Sequence, residues 1–214
     1  MNFADLFDLS KTEHKNLFEE STNLWDPIKV LNEYMDKYLK AVSKEVFVGK
    51  NTKIDSTAKI VGPAIIGSNC DIRDGVLIRE GVIIGDGCVV GHGSEVKHSI
   101  IFNDSNIAHL NYVGDSIIGS GVNFAAGAIT ANFKHGAKNE TVNIVINDEK
   151  ISTGLKKFGS LVGDNAKIGC NVVLEPGTII GKRTLIYPLV SVRGTILEDK
   201  IVKYKQNLNI VDQE

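Results

Sequence analysis

The sequence is poor in the residues that staple, anchor or stiffen a chain. Its 3 cysteines, at positions 70, 88 and 170, are odd in number and too sparse for a disulfide framework, and no Cys-x-x-Cys pair suggests zinc. No apolar run reaches the roughly 18 residues that span a bilayer, and Met1-Asn2-Phe3-Ala4-Asp5 places no basic stretch ahead of an apolar one. A soluble, cytoplasmic protein without membrane association is therefore expected. Lys and Arg number 24 against 26 Asp and Glu, a formal charge of −2, so no global basic field exists to draw in nucleic acid. Proline is scarce at 4, whereas glycine reaches 21. The 214 residues suffice for one well-buried core plus a small appendage.

What the chain does have is a period. Val48, Ile54, Ile60, Ile66, Ile72, Ile78, Ile84, Val90 and Val96 are aliphatic residues six apart without exception, and the rule resumes at Val162, Ile168, Leu174, Ile180, Ile186 and Val192. Four residues after each of the first series stands a mostly small residue, such as Ala58, Ala64, Cys70 or Ser94. Hexapeptides of this kind predict short strands joined by tight turns, three to a triangular coil, with successive coils paired as parallel strands about 4.8 Å apart. The aliphatic column fills a narrow core, and glycines serve the corners where a side chain would be strained. Cys70 and Cys88, one coil apart and both inward, read as small apolar residues.

Residues 1–43 do not repeat. Ser10-x-x-Glu13 has the form of a capping box and Asp26-Pro27 that of a cap and first helical turn, so two helices are expected. Ile28, Leu31, Met35 and Tyr38/Leu39 form an apolar stripe on the second, for packing against the prism or a neighbouring subunit, with Trp25 partly buried. Repeats occupy 44–200, and 201–214 form a tail. Between 101 and 118 the period slips, as expected of an insertion or a site. The stretch 131–160 is polar, with alternating Val142, Ile144 and Ile146, and predicts a loop plus a short hairpin.

Arg79 and Lys97 each follow an inward aliphatic residue, so both point outward, one full coil apart. Two like charges held about 5 Å apart repel by up to a few kcal/mol at intermediate dielectric unless solvent or an anion intervenes; a phosphate monoester is one such anion and a solvated face the alternative. His109 lies in the slipped stretch, about twelve residues beyond Lys97. An imidazole titrates near neutral pH, which suits removing a proton from an attacking amine and returning it to a leaving thiolate. His92 and His98 are six apart, on different walls of one coil, and suggest no three-His metal cluster.

The stretch from Leu77-Ile78-Arg79-Glu80-Gly81 through His109-Leu110-Asn111-Tyr112-Val113-Gly114-Asp115 to Asn123-Phe124-Ala125-Ala126-Gly127-Ala128-Ile129-Thr130-Ala131-Asn132-Phe133 resembles the acetyltransferase domain of the bacterial bifunctional uridyltransferase/acetyltransferase that makes UDP-N-acetylglucosamine. The resemblance runs ungapped from about residue 77 to 138 and is looser across the last coils. It implies a left-handed parallel β-helix, a homotrimer with sites between subunits, and direct transfer of acetyl from acetyl-CoA to the amine of glucosamine 1-phosphate or a close relative, with no metal. Position by position, it places His109 on the general base, Arg79, Lys97, Tyr112 and Lys138 on sugar-phosphate ligands, and Glu95 on a sugar-hydroxyl contact. Asn123 falls on a contact near the reacting amine, and Ala126 and Asn132 on acetyl-CoA contacts.

Departures lie mostly on the donor side. Cys170 stands where the family often has Ser near the thioester or pantetheine, Phe133 replaces Tyr, and Pro188 falls where a small residue lines the donor groove. The insertion of 139–159, with Thr153-Gly154-Leu155-Lys156-Lys157-Phe158-Gly159, looks like that of bifunctional sugar-1-phosphate nucleotidyltransferase/acetyltransferase proteins. No Gly-x-Gly-Thr-Arg-Met-type nucleotide loop occurs, so a separate nucleotidyltransferase partner is conceivable. Three other readings stay open: acyl transfer from acyl carrier protein to a nucleotide-activated amino sugar, a zinc hydratase of the γ-carbonic anhydrase type, whose paired histidines five apart are absent, and a non-catalytic sugar-phosphate-binding scaffold.

Overall fold

The computed structural model describes residues 1–135, 140–205 and 210–211. Strands of two or three residues, separated by turns, stack into three parallel sheets of eight, eight and seven strands that close a triangular prism, a parallel β-solenoid. Register follows the hexapeptide. Ile66 lies over Ile84 in the first sheet, Ile72 over Val90 in the second and Ile78 over Val96 in the third. Because a strand's side chains alternate, these residues all point inward and make one continuous core with Cys70 and Cys88. Both thiols are buried, and each Sγ lies 3.1 Å from a carbonyl oxygen of the next coil, Gly85 and Phe102 respectively.

One corner is turned by a column of residues in the left-handed region: Asn51, Asn69, Gly87, Asp104, Gly121, Asn165, Arg183 and Asp199, with φ between 57° and 68°. Asn, Asp and Gly, which tolerate that conformation best, hold every position of this column but Arg183. Beside it the chains approach too closely for a side chain: a Cβ on Gly85 would lie 2.7 Å from the Asn103 backbone nitrogen.

The slipped period is not an insertion. Ile84 lies over Ile101, Ile101 over Ile118 and Val96 over Val113, so the coil never breaks. Two corners, Val96 to Ile101 and Val113 to Ile118, are each one residue short. The left-handed residue there is His98 (φ 43°) and then Asp115 (φ 50°). His109 accordingly occupies an ordinary turn of a continuous coil. The last coil also runs past the expected limit, since Ile201 and Val202 pair with Leu185 and Ile186.

The first sheet is apolar on both faces. Its outward column, Ile65, Ile83, Ile100, Ile117, Leu161 and Ile179, is buried beneath the N-terminal segment and the hairpin that joins Asn143–Ile146 to Glu149–Ser152. That segment holds three α-helices, not two: α1 (Phe3–Leu6), α2 (Asn16–Glu19) and α3 (Asp26–Ala41), with a 3₁₀ turn at Leu9–Lys11. The capping box is made by Asn2 and Asp5 on α1. Ser10 sits inside the 3₁₀ turn, where its N–H donates to the Asp8 carboxylate at 3.0 Å, so the expected Ser10–Glu13 box does not form.

Helix α3 starts at Asp26-Pro27 as expected, and its stripe of Ile28, Leu31, Met35 and Leu39 packs on the chain's own prism. Trp25 is 5% exposed, buried more fully than expected. Phe102, projecting from the prism, meets the rings of Phe7 and Phe18 at centroid distances of 5.3 and 5.2 Å. Buried Asp164 pins the same seam, accepting from the N–H of Asp8 (2.6 Å) and of Ser120 (2.8 Å), while Lys182 donates to the Ala4 carbonyl (2.7 Å). No helix among the described residues is long and apolar enough to cross a membrane.

Candidate functional site

The third sheet gathers most of the predicted ligands. Leu77, Glu95, Tyr112 and Ile129 are partners in successive strands, and alternation turns them outward together with Arg79 and Lys97. The two cations do stack, and anionic groups of the chain itself lie beside them. Arg79 lies 3.2 Å from Glu95 and 3.5 Å from Glu80, and Lys97 lies 3.8 Å from Asp115, so carboxylates of the chain itself absorb the repulsion. Gly114 occupies the outward position between Lys97 and Ala131, and a Cβ there would lie 2.7 Å from the Tyr112 ring and 2.9 Å from Asn132 Nδ2. Its missing side chain lets those two groups fold over the strand. Asn132 donates to the Tyr112 hydroxyl at 3.0 Å and to the Asp115 carboxylate.

Asp115, buried at the second shortened corner, also pairs with His98 Nδ1 at 3.1 Å. Burial by itself would push its carboxyl up. Hydrogen bonds from His98 and Asn132 and the charge of Lys97 outweigh that and hold it below the usual range, ionised at neutral pH. Burial, reinforced by the Asp115 charge, raises the Tyr112 phenol, which therefore stays a neutral donor. Asp115, His98 and Glu80 were not singled out by the sequence reading. The signal for the first two was a 17-residue spacing, visible only once each short corner is placed.

His109 stands on the turn between the second-sheet strand Asn106–Ile107 and the third-sheet strand Tyr112–Gly114. Both His109 and Leu110 are exposed, and Leu110 holds a φ of 51° that is rare for a bulky side chain. Buried Asn111 fixes the turn: its Oδ1 accepts the His109 N–H at 2.9 Å, and its Nδ2 donates to the carbonyls of Ala125 (2.7 Å) and Ala128 (3.1 Å). The same edge continues upward. Gly127 N–H donates to the His109 carbonyl, Asn171 N–H to that of Ala126 and Leu189 N–H to that of Cys170, each at 2.9–3.0 Å. His109, Ala126, Cys170 and Pro188 thus stand in successive coils of one edge, beside the sheet that holds Tyr112. Cys170 is a free, exposed thiol.

Other residues are not brought together. Asn123 projects from the second sheet, between Asn106 and Lys167, on a different face from Arg79 and Lys97. Asn132, expected on the donor side, joins Tyr112 and Asp115. Lys138 lies outside the described residues. His92 pairs with Asp74 at 2.6 Å on the exposed surface.

A prism of hexapeptide coils with polar residues converging on one sheet and one edge defines a class. Residues 45–80 and 159–194 match the bacterial transferase hexapeptide family. It is 33% identical over 206 residues to the bifunctional sugar-1-phosphate nucleotidylyltransferase/acetyltransferase of Sulfurisphaera tokodaii, covering 88% of this chain and 51% of that protein. It is 32% identical over 220 residues to the bifunctional protein GlmU of Methanococcus maripaludis, covering 94% of this chain and 51% of that one. The chain thus spans about half the length of these relatives. Among solved structures, a mutant of AntD, an N-acyltransferase from Bacillus cereus, is 20% identical, with 77% of this chain and 82% of that chain covered and a TM-score of 0.39.

Proposed function

We propose that the protein is an N-acetyltransferase that moves acetyl from acetyl-CoA to the amine of an amino-sugar 1-phosphate, with His109 as general base. The observation that supports this best is the stacking of Arg79 on Lys97, with Tyr112 in the next outward column of the same sheet, while His109, three residues before Tyr112, stands exposed on the adjoining edge. Arg79 and Lys97 supply charge-assisted donors, and the neutral Tyr112 hydroxyl a further one, for phosphate oxygens, with Glu95 beside them for a sugar hydroxyl. Ala126, Cys170 and Pro188, stacked above His109, form the donor edge.

In this reading the neutral amine attacks the thioester carbonyl while His109 takes its proton. As the C–N bond forms and the C–S bond breaks, the imidazolium returns that proton to the departing thiolate. Ala126 is exposed and its N–H has no acceptor among the described backbone groups, which supports a role for that N–H in binding the developing oxyanion. Asn123, on another face of the prism, completes the set when a second copy of the chain presents its second sheet to the third sheet of the first, which favours a homotrimer.

A thiol-release assay with acetyl-CoA against a panel of amino-sugar 1-phosphates, with unphosphorylated glucosamine as control, tests the proposal. Release that depends on both amine and phosphate is expected. Binding of sugar phosphates without any thiol release would leave a binding scaffold instead.

A further inference from the structure

The resemblance divides Lys97, Tyr112 and Asn132 between two substrates, yet all three are tied to one buried carboxylate. The Asp115 side chain is 7% exposed; its Oδ2 faces Lys97 Nζ at 3.8 Å and accepts from Asn132 Nδ2, while its Oδ1 pairs with His98. The Asn132 amide has two N–H groups, and the second goes to the Tyr112 hydroxyl. Asp115 cannot drift, because its N–H donates to the Lys97 carbonyl at 3.0 Å and its carbonyl accepts from Gly159 at 2.9 Å.

We infer that Asp115 is a positioning residue of the acceptor site, holding Lys97 directly and the Tyr112 hydroxyl through Asn132; this rests on the function proposed above. A lysine ammonium ends a flexible four-carbon stem, and holding it before the ligand arrives reduces the freedom lost on binding. At 3.8 Å the attraction is real, but the separation exceeds hydrogen-bond length, so the ammonium keeps its donors for another oxygen. Through Asn132 the same carboxylate orients the Tyr112 hydroxyl, one coil along the same sheet. A merely structural Asp115 would close the short corner without regard to Lys97.

The test is steady-state kinetics and equilibrium binding of the full chain as wild type, Asp115→Asn, Lys97→Ala, the double variant and Asn132→Ala, with glucosamine 1-phosphate and acetyl-CoA as probes. Asp115→Asn is expected to raise the acceptor KM about tenfold with the acetyl-CoA KM held within about twofold. On the Lys97→Ala background the same change should add less than about threefold, because the two act as one unit. Asn132→Ala, which cuts the link to Tyr112, should also weaken the acceptor; it decides the matter alone if Asp115→Asn does not fold. Additive effects of Asp115→Asn and Lys97→Ala, or an acceptor KM unchanged in Asp115→Asn or in Asn132→Ala, would overturn the inference. Wild-type protein that neither binds nor acetylates the sugar phosphate would sink the proposed function as well; an active wild type confines the failure to Asp115.

Discussion

The N–H of Gly127 donates to the carbonyl of His109 at 3.0 Å, so the turn that carries the proposed base rests on the turn that carries Ala126. Gly127 has a φ of 72°, and a Cβ there would run into the Asn171 side-chain oxygen. Gly127→Ala should therefore cost about 1–3 kcal/mol of stability. Chemical denaturation measures that cost, and an unchanged midpoint would show that the corner absorbs the side chain.

Replacing His109 by Ala should lower turnover by roughly 10²–10⁴ with little change in ground-state binding, the usual range for losing a general acid–base. Since no acyl-enzyme is invoked, Cys170→Ala should stay active. Full activity in His109→Ala, or an isolable acetyl-Cys170 adduct with ping-pong kinetics, would reverse these roles.

Lys97→Ala should weaken the sugar phosphate far more than acetyl-CoA, by about 1.5–3 kcal/mol, the worth of a charge-assisted hydrogen bond. Titration calorimetry with each substrate separately reads this directly. Equal losses for both would place Lys97 outside the phosphate subsite.

Phe102 is fully buried between the prism and the rings of Phe7 and Phe18. Phe102→Ala should destabilise the fold by about 3–5 kcal/mol. Deleting residues 1–43 should be worse, because it bares the outward aliphatic column from Ile65 to Ile179. A truncated chain that remains soluble and melts like the full one would contradict this account of the N-terminal segment.

His14 is buried against Tyr34, whose hydroxyl lies 2.8 Å from its Nδ1, and burial pushes the ring down to about 4 from its ordinary 6.5. Between those values the unfolded chain binds a proton that the folded chain does not. Stability from this group is therefore full above about pH 6.5 and falls as pH drops toward 4, by up to about 3 kcal/mol. His14→Gln should lose less stability than wild type between pH 7 and pH 4.5 in urea titrations; identical losses would locate the acid sensitivity elsewhere.

The period of six settles the prism because each aliphatic residue has one inward place. Ile78 and Val96 needed no structure to be stacked, nor did their outward neighbours Arg79 and Lys97. The same rule misread the slip after Val96, since a spacing of 22 looks like an interruption when it is two corners each shortened by one residue. The N-terminal stripe of Ile28, Leu31 and Met35 was legible as apolar. The surface it covers was not, because Ile65, Ile83 and Ile100 adjoin the inward column and a period of six marks only one aliphatic residue per repeat.

What the sequence determined by itself was therefore the local rule: which residue of each hexapeptide points inward, and which outward residues carry charge or a nucleophile. The tertiary structure decided which of those outward groups meet. Asp115 reaches Lys97 and Asn132, and Glu95 reaches Arg79, only because coils stack at a fixed separation, with an offset that the short corners alter. Such contacts join residues 16 to 18 apart, and a one-residue change in any corner exchanges one partner for another.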